Sequence, residues 1–281
     1  MLLQRVVTAV VLLALLVPAL AAASAWPFAL LTLVLIAAAV WEWGRLNRVA
    51  SLPALCLGGM IILAGAWSVH SAALVQLPAA MWWAVCAVWL AIGVLVLRAG
   101  PQAWRRWPLL ARMALGLLVL GFGWLALTGA HRMGVNFLMS VLCLVWVADI
   151  GAYAAGRAFG RNKLAPTISP GKSWEGVAGG MLCALLLAGA WIIFIDPRFD
   201  AQGGSLYERL RGDFGWLGLG VGVIVLAAAS VVGDLFESLV KRAAGAKDSS
   251  HLLPGHGGVL DRIDALLPVL PLAMALAASL K

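Results

Sequence analysis

Long apolar runs, broken at short intervals by charged or turn-forming residues, dominate the chain. Reading runs of about 17–25 apolar residues as membrane-spanning helices gives about nine spans, at 6–24, 27–44, 53–70, 78–97, 110–129, 134–155, 176–195, 215–238 and 263–280. The connections are short, and two stretches, 149–180 and 233–264, concentrate the polar chemistry. The pattern predicts an all-α fold, a polytopic integral membrane helical bundle with almost no room for a separate soluble domain. Residues 1–130 read as N-terminal spans serving as scaffold, dimer or lipid contact, and 131–281 as the catalytic region, because both polar stretches lie there. Gly58, Gly59, Gly116, Gly121 and Gly123 suit close helix packing in lipid, which makes a homodimer a reasonable expectation.

Composition agrees: 63% of the 281 residues are hydrophobic and 11% are charged, where a soluble domain carries about 25% charged residues. The net charge of +8 would suit nucleic acid, but its placement says otherwise. Of the 20 lysines and arginines, five (Arg132, Arg198, Arg209, Arg211, Lys281) fall on one side of the spans and the rest on the side of the N-terminus. By the positive-inside rule the N-terminus is cytoplasmic and the C-terminus outside. The basic excess then reflects topology and attraction to anionic membrane lipids, with no nucleic-acid partner. Ala21–Ala25 offers small residues for signal cleavage, yet the apolar run before it exceeds a signal core of about 7–15 residues, so a retained helix is expected. Cys56, Cys86, Cys143 and Cys183 are scattered without ligand spacing and read as small buried hydrophobes.

The densest chemistry runs from Gly233 to Asp264, GDLFESLVKRAAGAKDSSHLLPGHGGVLDRID, where 11 of 32 residues are ionisable. Ionisable groups beside membrane spans are costly and point to function. Asp234, Glu237 or Ser238, then Lys241 and Arg242 recur at helical spacing and share one face. Pro254-Gly255-His256-Gly257-Gly258 cannot continue a helix, and its glycines permit positive φ and close backbone approach to a ligand. Amides in such a loop can cradle phosphate oxygens. Asp261 and Asp264 then fall i, i+3 at the start of the next apolar helix, with Arg262 beside them. Carboxylates supply hard oxygen ligands for a divalent cation, and the cations meet phosphate charge. The stretch reads as a phosphate-and-metal site.

The other polar stretch is DIGAYAAGRAFGRNKLAPTISPGKSWEGVAGG, Asp149 to Gly180. A carboxylate in an apolar helix costs about 2.5–3.5 kcal/mol on insertion scales unless it faces a polar interior. Asp149 therefore either points into the site or pairs with Arg157 or Arg161. Pro170 and Gly171 read as a turn before the seventh span, with Ser173 as N-cap and Glu175 in the first helical turn. Exposed amides there, with Lys172, make an anion site. Elsewhere, Trp41-Glu-Trp-Gly-Arg45 and Trp104-Arg-Arg-Trp107 read as interfacial anchors, Glu42 as an acid pairing with a nearby arginine, and His70 and His131 as interfacial polar residues. The outer segment 196–213, with Gly203-Gly204, reads as a solvated connector.

Ser238-Leu-Val-Lys241-Arg242, Lys247-Asp248 and Leu253-Pro-Gly-His-Gly-Gly-Val-Leu-Asp-Arg-Ile-Asp264 resemble, as one long rigid pattern, the signature of phosphatidate cytidylyltransferases. The loop Ser169–Gly176 resembles the matching loop of that family, so the likeness covers about Asp149 to Asp264. The resemblance implies a Mg2+-dependent transfer (another divalent cation being an alternative) from CTP to phosphatidic acid, yielding CDP-diacylglycerol and pyrophosphate. It implies a multi-pass protein of the inner (plasma) membrane whose active site opens on the cytoplasmic face. The lipid phosphate is itself the nucleophile, so positive charge and a metal are the main requirements. Asp234 and Asp261 are the first expected metal ligands, joined by Asp264, Glu237 and Asp149. Lys172, Lys241, Arg242, Lys247 and Arg262 are expected on the phosphates. His256, Gly257 and Gly258 would shape the loop, with Ser173, Ser238 and Asp248 as further contacts. A CTP-dependent lipid kinase and an ion-coupled transporter remain alternatives at this point; the DGxxAR pattern of CDP-alcohol phosphatidyltransferases is absent.

Overall fold

The computed structural model describes residues 2–70, 77–98, 100–199 and 204–279; Gly203 and Lys281 lie outside the described residues. Its helices are α1 (Leu2–Ala21), α2 (Trp26–Leu46), α3 (Ser51–His70), α4 (Ala79–Arg98), α5 (Pro101–Arg106), α6 (Leu109–Arg132), α7 (Val135–Phe159), α8 (Trp174–Phe194), α9 (Leu206–Ala244), α10 (Leu260–Ile263) and α11 (Leu266–Ser279). Among the described residues eight helical segments are long and apolar enough to cross a membrane, and the apolar part of α1, Val6–Ala21, is shorter. The protein is a polytopic all-α membrane bundle. Among the described residues, β1 (Lys163–Ala165) and β2 (Ser169–Ser173) form a hairpin, antiparallel and irregular in register.

Local chemistry sets the helix ends. The Ser173 hydroxyl caps α8 by accepting from the Gly176 amide at 3.2 Å, as its position before the apolar run predicts. Ser205 caps α9 through the Glu208 amide at 3.1 Å. Gly245 ends α9 in the left-handed region, φ 76°, where glycine carries no Cβ penalty. Gly215, φ 67°, kinks α9 between a short first arm and its spanning part.

Lipid gives no hydrophobic drive between helices, so close approach must come from small residues. The tightest pairing is α7 with α8. A Cβ at Gly180 would stand 2.6 Å from the Ala148 carbonyl, and one at Gly176 2.8 Å from that of Ala152. The polar hairpin is thereby delivered beside the end of α7.

An aromatic cluster fixes α9. Phe236 is ringed by Trp43 of α2, Trp89 of α4 and Trp104 of α5 at centroid distances of 5.7, 5.8 and 5.5 Å. Such pairs contribute about 0.5–1.5 kcal/mol each beyond burial. With Phe236 held inward, the rotation of α9 is set, and so is the direction of Asp234, Glu237 and Lys241. This corrects the anchor reading of two aromatics: Trp43 and Trp104 are each 2% exposed. Their indoles donate to the Arg112 carbonyl and the Asn47 side chain, at 3.0 and 3.1 Å. These partners satisfy the one polar atom each indole brings inside.

Among the described residues of 196–213, the reading as a solvated connector fails in part. Leu206, Tyr207 and Leu210 are buried, and Asp196 accepts from Asn136 Nδ2 at 2.9 Å and from Ser205 Oγ at 2.8 Å. Trp191 Nε1 donates to Asn136 Oδ1 at 2.9 Å, which completes a satisfied polar knot at the end opposite the hairpin. His131 stacks on Phe28 at 4.3 Å. Cys56 is exposed and the other cysteines half-buried, so the reading as buried hydrophobes fails at Cys56: α3 turns that face outward.

Candidate active site

The two polar stretches meet at one end of the bundle. The hairpin contributes Lys172, whose Nζ lies 2.5 Å from Asp234 Oδ2 on α9. Two turns further along α9, Lys241 Nζ stands 2.6 Å from Glu237 Oε2 and 2.6 Å from Asp261 Oδ1, joining α9 to α10. Asp264, just past α10, feels the charges of Asp234 and Lys241. Asp149 of α7 feels those of Asp234 and Lys172. Of the two openings left for Asp149, the second finds no support: Arg157 turns to the Tyr153 hydroxyl at 3.3 Å instead. Five carboxylates and two ammonium groups thus converge from α7, β2, α9 and the α10 region.

Asp261 is the most heavily hydrogen-bonded of these five acids. Its Oδ2 accepts from the Gly258 amide at 2.8 Å and from the Ser249 amide and hydroxyl at 2.9 and 2.8 Å. The loop carrying those donors turns at Gly255 and Gly257, φ 77° and 80°, where a side chain would be strained. The carbonyl of Leu253 receives the His256 amide at 2.8 Å, which closes the turn. Arg262 is exposed and holds the loop from outside, its Nε and a terminal nitrogen donating to the His256 carbonyl at 3.0 and 2.6 Å. His256 Nδ1 is buried without a hydrogen-bond partner.

The remaining expected residues lie at the margin. Arg242 donates to the carbonyls of Ile168 and Ala246 at 3.4 and 3.1 Å, tying the hairpin turn to the end of α9. Lys247 and Asp248 are exposed beyond that end. Ser238 donates to Asp234 Oδ1 at 3.3 Å, while Ser173 is buried at its cap. Asp264 Oδ1 accepts from the next amide, that of Ala265, at 2.7 Å. The turn read before α8 is in fact strand β2. Its Lys172 therefore reaches across to α9, and the first acid of α8, Glu175, folds back on the Arg161 and Asn162 amides.

One residue of this end was misread from the sequence. Among the described residues Glu42 of α2 forms no salt bridge with an arginine. Its carboxylate accepts from the Ser249 and Ser250 hydroxyls and the Val259 and Leu260 amides. The signal was present, since an acid inside an apolar helix is a functional candidate by default.

Among the described residues no three acidic, imidazole or thiol groups close on a metal as they stand. The donor set nevertheless suits a hard cation. Carboxylate oxygens are the usual partners of divalent ions, and Lys172 and Lys241 place ammonium groups against them where an ion's charge would fall. Lysine ammonium also binds phosphate as a mobile point charge.

The profile of the cytidylyltransferase family matches residues 3–280. A phosphatidate cytidylyltransferase of Haemophilus influenzae is 37% identical over 296 residues, covering 96% of this chain and 96% of the relative. One of Pseudomonas aeruginosa is 38% identical over 284 residues, covering 98% and 97%. One of Staphylococcus aureus is 37% identical over 153 residues, covering 54% and 53%.

Proposed function

The chain belongs to the cytidylyltransferase family, a nucleotidyltransferase, and we propose that it joins CTP to phosphatidic acid to give CDP-diacylglycerol and pyrophosphate. The observation that carries the reading is the meeting of hairpin and signature, Lys172 on Asp234 and Lys241 between Glu237 and Asp261. Chemistry between two phosphates needs charge compensation more than a protein nucleophile. A phosphate oxygen of the lipid forms a bond to the α-phosphorus of CTP while the bridging bond to the β-phosphate breaks, and pyrophosphate leaves with the electron pair.

In this reading Lys172 and Lys241 turn from their carboxylates to the incoming phosphates, and Lys247, Arg242 and Arg262 line the approach. Ser173, Ser238 and Asp248 hold the hairpin and helix end around it, and the Gly257-Gly258 loop with His256 keeps its backbone close. Asp234, Asp261, Asp264, Glu237 and Asp149 would hold Mg2+ or another divalent cation, which when bound neutralises phosphate charge and assists the leaving group. The excess of Lys and Arg on the site's side supports a site at the cytoplasmic face of the inner membrane, with the N-terminus inside. Phosphatidic acid would enter sideways from the membrane lipids. The exposed face of α3, where Gly59 has open space beside it, gives a homodimer a surface.

The test is incubation of purified protein and phosphatidic acid with each nucleoside triphosphate, with and without Mg2+. The expected result is Mg2+-dependent pyrophosphate release with CTP. Release of CDP would instead make the protein a lipid kinase. Absence of any turnover without an ion gradient would favour transport.

A further inference from the structure

Glu42 reaches the signature loop from the opposite half of the chain and has no exposed surface. Its Oε1 accepts from Ser250 Oγ at 2.5 Å and the Val259 amide at 2.9 Å. Its Oε2 accepts from the Leu260 amide at 2.7 Å and lies 3.2 Å from Ser249 Oγ. Among the described residues it forms no salt bridge with a lysine or arginine. A buried charge without a cation is tolerated only where hydrogen bonds replace its hydration, and among the described residues that replacement comes from 249–260. That segment must either wrap the carboxylate as observed or leave it desolvated.

The wrapping has a consequence at Asp261. Ser249 Oγ lies between two acids, 2.8 Å from Asp261 Oδ2 and 3.2 Å from Glu42, and its single hydrogen serves only one of them at a time. The Gly258 amide that serves Asp261 precedes the Val259 and Leu260 amides that serve Glu42. A Cβ at Gly258 would collide with both the Glu42 carboxylate and the Ser249 hydroxyl, so the backbone closes on Glu42 with no room to spare. Six donors, three to Glu42 alone, two to Asp261 alone and the shared Ser249 hydroxyl, thus come from the same two short segments.

We infer that Glu42 is a positioning residue for the transfer reaction: it templates the 249–260 loop and thereby sets the place of Asp261, without touching substrate. The order passes on from Asp261 to Lys241 and Glu237, each link 2.6 Å. The inference rests on the assignment of Asp261 to the reacting phosphates.

The experiment compares Glu42→Gln, Glu42→Asp and Asp261→Asn with the parent protein. It reads kcat and KM for CTP, together with hydrogen exchange of peptides covering 249–264 and, as reference, 176–194. Glutamine keeps the shape but turns an amide donor against donors. The expected result is kcat lower by at least about tenfold, the scale of losing a group that orients an active-site acid. KM should stay within about threefold, and exchange should rise in 249–264 but not in the reference peptide. Glu42→Asp keeps the charge but falls short of the amides, so it should show the same split if Glu42→Gln does not fold. A folded Glu42→Gln with kcat within about twofold of the parent and an unchanged loop overturns the inference. So does loss of fold in both Glu42 variants, which makes the role global stability. Near-normal turnover of Asp261→Asn overturns the assignment of Asp261, and the inference with it. An inactive Asp261→Asn beside a normal Glu42→Gln overturns the inference alone.

Discussion

Replacing Lys241 by methionine separates two kinds of ion pair at this site. Lys241, Glu237 and Asp261 have side chains only 12%, 3% and 7% exposed, and Lys241 Nζ is 2.6 Å from a carboxylate oxygen of each acid. Methionine fills the space and removes the charge, leaving two acids facing each other out of water. Breaking a buried pair by removing one partner costs about 3–5 kcal/mol, because the surviving charge is uncompensated. Lys172 and Asp234 make an equally short contact, but their side chains are 26% and 31% exposed. Water screens that pair, and exposed pairs contribute about 0.2–1 kcal/mol. Unfolding in mixed micelles, followed by the fluorescence of Trp43, Trp89 and Trp104 around Phe236, should therefore show a large loss for Lys241→Met and a small one for Lys172→Met. Adding Glu237→Gln to Lys241→Met should recover part of the loss, since the cost belongs to an unpaired charge and not to a lost contact. Equal effects of the two lysine variants, or no recovery in the double variant, would refute this account.

Three further outcomes follow from the same geometry. Asp234→Asn or Asp261→Asn should leave an inserted, folded protein whose CTP-dependent turnover is reduced at least about 100-fold, the scale of lost transition-state electrostatics; pyrophosphate release measures it. Gly258→Ala should reduce turnover and raise hydrogen exchange in 249–264, because the new Cβ meets Glu42 and Ser249. Asn136→Ala unpairs Trp191 Nε1 and one oxygen of Asp196, at about 1–3 kcal/mol per buried polar group; micelle unfolding should register it while turnover of the folded protein stays unchanged.

The spans were readable because a membrane helix needs about 20 apolar residues in succession, a signal too long to arise from packing irregularities. The acidic and basic face of α9 was readable for the same periodic reason. What escaped had short or two-sided signals. Strands of three and five residues with Pro170 and Gly171 inside show no usable alternation, so β2 passed for a turn. Tryptophan beside arginine serves equally at an interface and in a packed cluster, and only the three-dimensional position of Phe236 decides for Trp43 and Trp104. Leu206, Tyr207 and Leu210 do form a helical stripe, but the surrounding charges of 196–213 drew the reading towards solvent. Glu42 stands out as an acid in an apolar helix, but an acid in isolation indicates that something must satisfy it and not what.

The division of the chain at about residue 130 is therefore one of sequence signals more than of mechanics. The residues with recognisable chemistry lie after it, because phosphate and metal chemistry demands charged side chains that stand out against hydrocarbon. Their placement depends on residues before it. The rotation of α9 is held through Phe236 by indoles of α2, α4 and α5, and the loop ahead of Asp261 is held by a carboxylate of α2. Those two restraints act on opposite sides of Lys241, which spans from α9 to Asp261. If either slackened, the ammonium would still be close to one acid but not to both, and the short double contact would be lost. Apolar packing and one buried acid thus do at a distance what the signature residues cannot do alone: they make two separate segments meet at a single cation.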